Sequence, residues 1–472
     1  MNAFIGREHE LGLLRHFLAA DGPGIAVVHG RRRIGKSLLI ATALDGRRAL
    51  TFEGLENQPK KAQINAFLFQ LAHQEGLPTT GASARGWREA LIHLEPVLKR
   101  RPAIVVLDEF QWMANYRREL VSDLKMIWDQ CLSKLPHVKL ILCGSIASFM
   151  TTKVVRSSAL YGRTDLELHL KGFSLRETHL LLNERGLDEV VEAGLYVGGV
   201  PKYLDLLKAY PSIRAGVEEL AFRENGYFVE EYERIFTSHF GRNPDFRKIV
   251  TALASSPRGM FRTDLAGAAG VDTGGTLSAH LLDLEAAGFL ASETPIDKGP
   301  GSRTIKYRIR DAYMQFYLSF IRPNLKKIRS GAQQDIFARV SQTGRFYAWR
   351  GHAFEELCIR HAGRLAEILG FAGIDFTCGP HFRTPSRDQT GIQIDLLFSR
   401  ADNVMTLCEM KCSTSPTGKS VVREVERKVE LLRTVFPSKT IQRVLILHGE
   451  PSRDLLESAY FYKVIRSTDL AS

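Results

Sequence analysis

Cysteine is scarce in this chain: Cys131, Cys143, Cys358, Cys378, Cys408 and Cys412 are the only six in 472 residues, and no two form a C-x-x-C pair. That spacing excludes a disulfide scaffold and a structural zinc site, and leaves the thiols as small, reduced hydrophobes. Long apolar runs are missing too. No segment reaches membrane-spanning length, and MNAFIGREHE lacks the basic-then-apolar order of a signal peptide, so the expectation is a cytoplasmic protein with no membrane partner. Internal repeats and low-complexity segments are absent, and 44% hydrophobic with 25% charged residues is ordinary for a globular chain. The length predicts about three domains. Acid is short relative to base: 64 Lys and Arg face 52 Asp and Glu, a net charge of +12 that favours a polyanionic partner, most simply nucleic acid.

Between Gly24 and Leu39 the sequence GIAVVHGRRRIGKSLL runs from a short apolar strand through G-x-x-x-x-G-K-S into a helical pattern. This is the setting a P-loop requires. Gly30 and Gly35 let the backbone curl so that its N–H groups, from Arg31 to Ile34, face phosphate oxygens. Lys36 reaches the terminal phosphates of ATP, and Ser37 offers its hydroxyl to Mg2+. The helix opening at Lys36 adds its positive dipole end. Arg31, Arg32 and Arg33 lie within the loop, and phosphate, a neighbouring subunit and solvent all remain open as their targets. A second apolar strand from Ala103 to Leu107 ends in Asp108 and Glu109, which suits a strand tip where Asp108 orders the metal and Glu109 polarises the attacking water. A third strand, LILCGS, ends at Ser145, placed to sense the γ-phosphate. The order predicts an α/β domain with a parallel sheet, and hydrolysis beyond binding.

The segments FIGREHELGLL, VVLDEFQ, LILCGS, SALYGRTDLELHLKGFS and YVGGVPKYL together resemble the archaeal-type AAA ATPase family over residues 1–210. The resemblance implies a helical lid beginning near residue 172. It also implies a role for Arg163, within LYGR, on the γ-phosphate, from its own subunit or from a neighbour in a homo-oligomer, and a hinge at the GGVP turn, Gly198 to Pro201.

Residues 211–330 read as a helical linker and a winged helix-turn-helix. DFRKIVTALASS, RTDLAGAAG and GGTLSAHLLDLEAAGFL have apolar residues at helical spacing, and the strands FLASET and IKYRI flank the Pro- and Gly-rich PIDKGPGSR. The third helix would bring Thr276, Ser278 and His280 toward a DNA groove while Leu277, Leu281 and Leu284 pack inward. Arg303, Lys306 and Arg308 begin a basic stripe that continues through Arg310, Arg322, Lys326, Lys327 and Arg329 against one acid, Asp311. In AAA-type proteins such a module also serves as a lid or adaptor that reads no bases.

Residues 331–472 give a helix around GHAFEELCIRHAGRLAEIL, strands IDFTC, GIQIDLLFS and VMTLCEMK, a helix from Val421 to Val435 and a strand IQRVLILH. Glu409 and Lys411, two apart on a strand, share one face. A turn centred on Asp402 would put Asp395 across from Glu409 and Gln393 across from Lys411. Opposed carboxylates want a cation, and oxygen ligands suit Mg2+ or Mn2+; Lys411 could then hold an attacking hydroxide, and Glu355 supply a further acid. The alternative is a structural ion pair. GHAFEE, QIDLLF and CEMK resemble the PD-(D/E)XK nuclease superfamily and the nuclease-like domain that follows archaeal-type ATPases. Arg423, Arg427 and Lys428 either line a phosphate path or, interleaved with glutamates, form a solvated face. The expectation is an ATP-controlled, metal-dependent nuclease acting on DNA; the rival is a regulatory ATPase whose C-terminal modules bind DNA or protein without cutting.

Overall fold

The computed structural model describes residues 4–78, 83–241, 243–299, 302, 304–331, 334–383 and 391–472. Its packing divides the chain into two units, Met1–Gly172 and Phe173–Ser472.

In the first unit five strands, β1 (Gly24–Gly30), β2 (Ala49–Glu53), β3 (Ile104–Asp108), β4 (Lys139–Gly144) and β5 (Thr164–Leu170), form a sheet in the order β2-β3-β4-β1-β5. Every pairing is parallel. All seven residues of β1 are buried, as a strand covered by helices on both faces must be, which is why it reads as an unbroken apolar run rather than an alternation. Each crossover returns the chain to the same end of the sheet, so the C-terminal tips of β1, β3 and β4 gather along one edge, where open parallel sheets place their ligands.

Along the free side of the outer strand β2 and just past its end, three glutamines bond the main chain. Gln74 accepts from the Thr51 N–H at 2.8 Å and donates to its carbonyl at 2.9 Å. Gln70 does the same for Glu53 at 2.8 and 3.2 Å. Gln63 does so for Leu55 at 2.9 and 2.5 Å. All three project from the helix Lys60–Glu75. Side-chain amides thus supply what a further strand would.

The second unit opens at Phe173, whose N–H donates to the Gly199 carbonyl at 2.6 Å. A Cβ at Gly199 would lie 2.0 Å from the Phe173 carbonyl oxygen, so only glycine allows this approach. Gly198 has φ +63°, and Pro201 starts the next helix, which together explain the GGVP sequence. Helices follow to Phe240. The helices Pro244–Ala254, Arg262–Ala269 and Gly275–Ala286 then accompany a small antiparallel sheet of β6 (Met260–Phe261), β7 (Leu290–Glu293) and β8 (Lys306–Ile309) in the order β6-β8-β7.

The C-terminal part is a five-stranded sheet of β9 (Phe376–Arg383), β10 (Ile392–Arg400), β11 (Val404–Cys412), β12 (Thr440–His448) and β13 (Lys463–Arg466), ordered β13-β12-β11-β10-β9. The first three strands are antiparallel neighbours and the last three parallel ones. The helix Ser420–Val435 makes the crossover to β12, and its buried Val421, Val425, Val429 and Leu432 recur at helical spacing to cover Leu407, Leu445 and Leu447. Among the described residues no helix is long and apolar enough to cross a membrane.

Candidate functional site

Label the helix Lys36–Leu44 α1. Between β1 and α1 the loop turns sharply: Gly30 has φ +148°, Arg33 φ +69° and Gly35 φ +94°. A Cβ on Gly30 would meet the Leu170 carbonyl at 2.4 Å, so the loop's first glycine is fixed by β5 as well as by phosphate access. Lys36 is 6% exposed, and its ammonium donates to the carbonyls of Gly30 and Arg31, both at 3.1 Å. The Ser37 hydroxyl donates to Asp108 Oδ2 at 2.8 Å. The other carboxylate oxygen, Oδ1, accepts from the Glu109 N–H at 2.8 Å. The structure therefore brings Ser37 and Asp108 together at the tips of α1 and β3, and Ile34 is buried beneath the loop.

Glu109 has φ +48°, a left-handed conformation that swings its side chain off the strand direction. Its Oε2 accepts from Ser145 Oγ at 2.6 Å and from Gln111 Nε2 at 2.5 Å. Sequence reading missed Gln111; the available signal was an amide in the apolar stretch FQWM, where it is 0% exposed. It also missed Glu53, the register partner of Asp108 at the tip of β2. Burial, then the carboxylates of Asp108 and Glu109, push the Glu53 carboxyl up from its ordinary range. Arg7, in GREHE, is a third omission: it donates to the carbonyls of Ile34 at 3.2 Å and of Lys171, tying the P-loop to the end of β5.

The loop arginines have protein surroundings. Arg32 lies over the Trp112 ring, 5.6 Å from its centre, and 3.9 Å from Glu56. Arg163 is not directed at the P-loop: its fork grips Asp129, with Nε to Oδ1 at 2.7 Å and Nη2 to Oδ2 at 3.0 Å. For it to act on phosphate, that bidentate pair must first open.

The expected DNA-contacting residues divide. Thr276 is exposed and Ser278 half-buried on the helix Gly275–Ala286. His280 instead lies against Phe246, the rings tilted by 51° with centroids 4.3 Å apart, and sits 3.2 Å from Asn243 Nδ2. Lys306 lies over the Phe382 ring at 4.4 Å, and burial lowers its ammonium from the usual lysine range. Arg308 is corrected outright: 5% exposed, it is held between Glu293 at 2.5 Å and Glu356 at 2.6 Å. The helix residue Glu356 and the strand residue Glu293 pair the guanidinium inside the protein, away from solvent. Arg303 lies outside the described residues.

The C-terminal carboxylates are also corrected. Call the helix Gly344–Arg360 α2 and the helix Ser420–Val435 α3. The β10/β11 register runs from Leu396↔Cys408 to Ser399↔Met405, centred on Asp402. A register shift falls between Ile394 and Leu397, however, and both of these pack in the core under α3. One extra residue in a strand reverses the alternation. Asp395 is thereby turned to the other face, where its charge acts on Glu355 of α2 and on Arg308. Gln393 donates to it at 2.7 Å.

Glu409 stays on the α3 face, beside Leu445 in register. Its Oε1 is 3.0 Å from Lys411 and its Oε2 accepts from Lys428 at 2.6 Å. Lys411 also donates to Glu424 at 2.6 Å. The metal pairing expected of Asp395 with Glu409 is therefore absent, and Glu409 is answered by two internal ammonium groups. Glu355 bonds His352 at 3.0 Å, and burial, its largest influence, raises its carboxyl. Among the described residues no group of three or more His, Cys, Asp or Glu is arranged to hold a metal ion.

The parallel sheet, the P-loop and the acid pair at the tip of β3 define the first unit as a P-loop ATPase fold. Residues 4–207 match the family described as an ATPase domain predominantly from Archaea. Over 357 residues, 75% of this chain and 76% of the relative, the sequence is 26% identical to an uncharacterized protein of Methanocaldococcus jannaschii. Among solved structures, the chain is similar to the Walker-type ATPase of Pyrococcus abyssi, with 20% identity, 67% of this chain and 96% of that chain covered and a TM-score of 0.49. It is also similar to the ORC2 protein of Aeropyrum pernix in ADPNP-ADP complexes, with 16% identity, 72% and 97% covered and a TM-score of 0.41.

Proposed function

We propose that the protein is an ATP-hydrolysing switch that binds DNA without cutting it. The ATPase half is carried by the 2.8 Å bond between Ser37 and Asp108, which sets a hydroxyl and a carboxylate side by side next to a buried lysine. That donor set fits Mg2+, an oxygen-seeking ion that keeps water and phosphate in its remaining positions. Ser37 and Asp108 would hold the ion, which supplies charge neutralisation on the phosphates; Lys36 binds the phosphate chain and Glu109 takes the proton of the attacking water.

Support for DNA comes from the helix Arg322–Arg329, RPNLKKIR, which carries four cations and no acid. Arg322, Lys326, Lys327 and Arg329 are all exposed. Cleavage forms no part of the proposal, because the two carboxylates expected to share a metal lie apart: Glu409 is paired with Lys411 and Lys428, while Asp395 accepts from Gln393 on the α2 side of the sheet. With the DNA bound at exposed cations, the affinity must depend on salt. Fluorescence anisotropy with a labelled duplex tests this. The expected result is a log-log decline with salt whose slope falls by about 1.8 in the double variant Lys326→Ala, Lys327→Ala, at roughly 0.9 per phosphate contact. A flat salt response removes the DNA half. ATP turnover that survives Lys36→Ala removes the other, and Mg2+- or Mn2+-dependent cutting abolished by Asp395→Ala would restore the nuclease.

A further inference from the structure

Three polar side chains close a small ring at the tips of β3 and β4. Gln111 Nε2 lies 2.5 Å from Glu109 Oε2 and 3.0 Å from Ser145 Oγ. Ser145 Oγ donates to the same carboxylate oxygen at 2.6 Å, and the Ser145 N–H donates to Gln111 Oε1 at 3.3 Å. The amide is buried at 0% exposure, Ser145 at 3%. Room for it is made by Gly144, where a Cβ would meet Gln111 Oε1 at 2.8 Å and the Met150 sulfur at 2.5 Å.

The hydrogen count decides what the ring can do. A serine hydroxyl has one hydrogen, so Ser145 donates either to Glu109 or to an arriving phosphate oxygen, never to both. A primary amide has two, so Gln111 can hold Glu109 and Ser145 at once. We propose that Gln111 is a positioning residue that couples the sensing of the terminal phosphate to the freeing of the general base. Without the terminal phosphate, Ser145 and Gln111 together hold Glu109 against β4. When a phosphate oxygen captures the Ser145 hydrogen, Glu109 keeps only its bond to Gln111. The freed lone pair then accepts the proton of the attacking water, as the water oxygen bonds to the γ-phosphorus and the bond to the β-phosphate oxygen breaks, releasing ADP and phosphate. The amide keeps the carboxylate aimed while its second hydrogen follows the serine.

This inference rests on the ATPase reading, and a double-mutant cycle separates the two. ATP turnover by the full chain is measured for the parent, Glu109→Gln, Gln111→Met and the pair. If Gln111 acts through Glu109, Gln111→Met alone lowers kcat by about tenfold or more, part of the roughly 10²–10⁴ a general base supplies, with KM within about threefold. In the Glu109→Gln background the same change costs no further turnover. A merely structural role predicts losses that multiply, and that outcome, or an unchanged kcat in Gln111→Met, overturns the proposal. Should Gln111→Met fail to fold, Gln111→Leu keeps much of the volume, removes both donors and enters the same cycle. A Glu109→Gln enzyme as fast as the parent refutes the assignment of Glu109 as base, a result distinct from any failure of Gln111.

Discussion

Replacing Arg308 with methionine separates an internal ion from a DNA contact. The guanidinium is 5% exposed and lies between Glu293 and Glu356, whose side chains are 16% and 8% exposed. Methionine fills much of the volume but leaves one buried and one partly buried carboxylate without their cation, and removing one partner of a buried ionic group costs about 3–5 kcal/mol. The loss depends on pH in a defined direction. Burial, only partly offset by Arg308, pushes the Glu293 carboxyl up to about 7. A carboxyl raised in the folded state contributes stability that is fully present below its ordinary value of 4.5 and is lost as pH rises through about 7. Arg308→Met removes the partner that lowers it, so the variant is more destabilised at pH 8 than at pH 5. Urea unfolding followed by circular dichroism at the two pH values measures this, and nucleotide binding reports that the first unit is intact. Adding Glu356→Gln to Arg308→Met returns part of the loss. A variant within about 0.5 kcal/mol of the parent at both pH values, the range of ordinary surface substitutions, together with a DNA salt slope reduced by about 0.9, would refute the internal assignment and return Arg308 to the groove.

Three further outcomes are expected. Gly30→Ala places a Cβ 2.4 Å from the Leu170 carbonyl and should weaken nucleotide binding at least tenfold by calorimetry, about 1.4 kcal/mol, while leaving the second unit's unfolding unchanged. Gly199→Ala sets a Cβ 2.0 Å from the Phe173 carbonyl oxygen and 2.5 Å from its nitrogen; backbone must move, and a loss of about 1–3 kcal/mol in urea unfolding is expected. His361 and His448 are held neutral, each lowered to about 4 by burial. A histidine lowered in the folded state contributes stability present above its ordinary 6.5 and lost as pH falls through about 4, so the unfolding free energy should drop across that window by up to about 3 kcal/mol per group. His361→Gln should flatten the slope.

The nucleotide site was legible because its signals are contiguous: the strand, the glycines, Lys36 and Ser37 lie within sixteen letters, and Asp108 and Glu109 mark a strand tip by ending an apolar run. Four of the five C-terminal strands were legible as elements, since their alternation and the valine spacing of α3 are local, whereas the four-residue β13 was not expected. Its chemistry was not. The face taken by Asp395 turns on a single extra residue between Ile394 and Leu397, and nothing in QIDLLF, with neither glycine nor proline, announces it. Arg308 illustrates a second limit. In IKYRI an arginine beside a lysine looks like an exposed basic strand, and only the packing of α2 against β8 converts it into a buried ion held by Glu356. His280 and Arg163 were misdirected for the same reason, their partners Phe246 and Asp129 being 34 positions away in each case.

The glutamine clamp on β2 limits how copies of the ATPase unit could associate. At Thr51, Glu53 and Leu55 the main-chain groups facing outward are already bonded by Gln74, Gln70 and Gln63, so these three positions offer no open donor or acceptor with which to recruit a strand from another molecule. A strand added along Thr51 to Leu55 would first have to displace those side-chain amides.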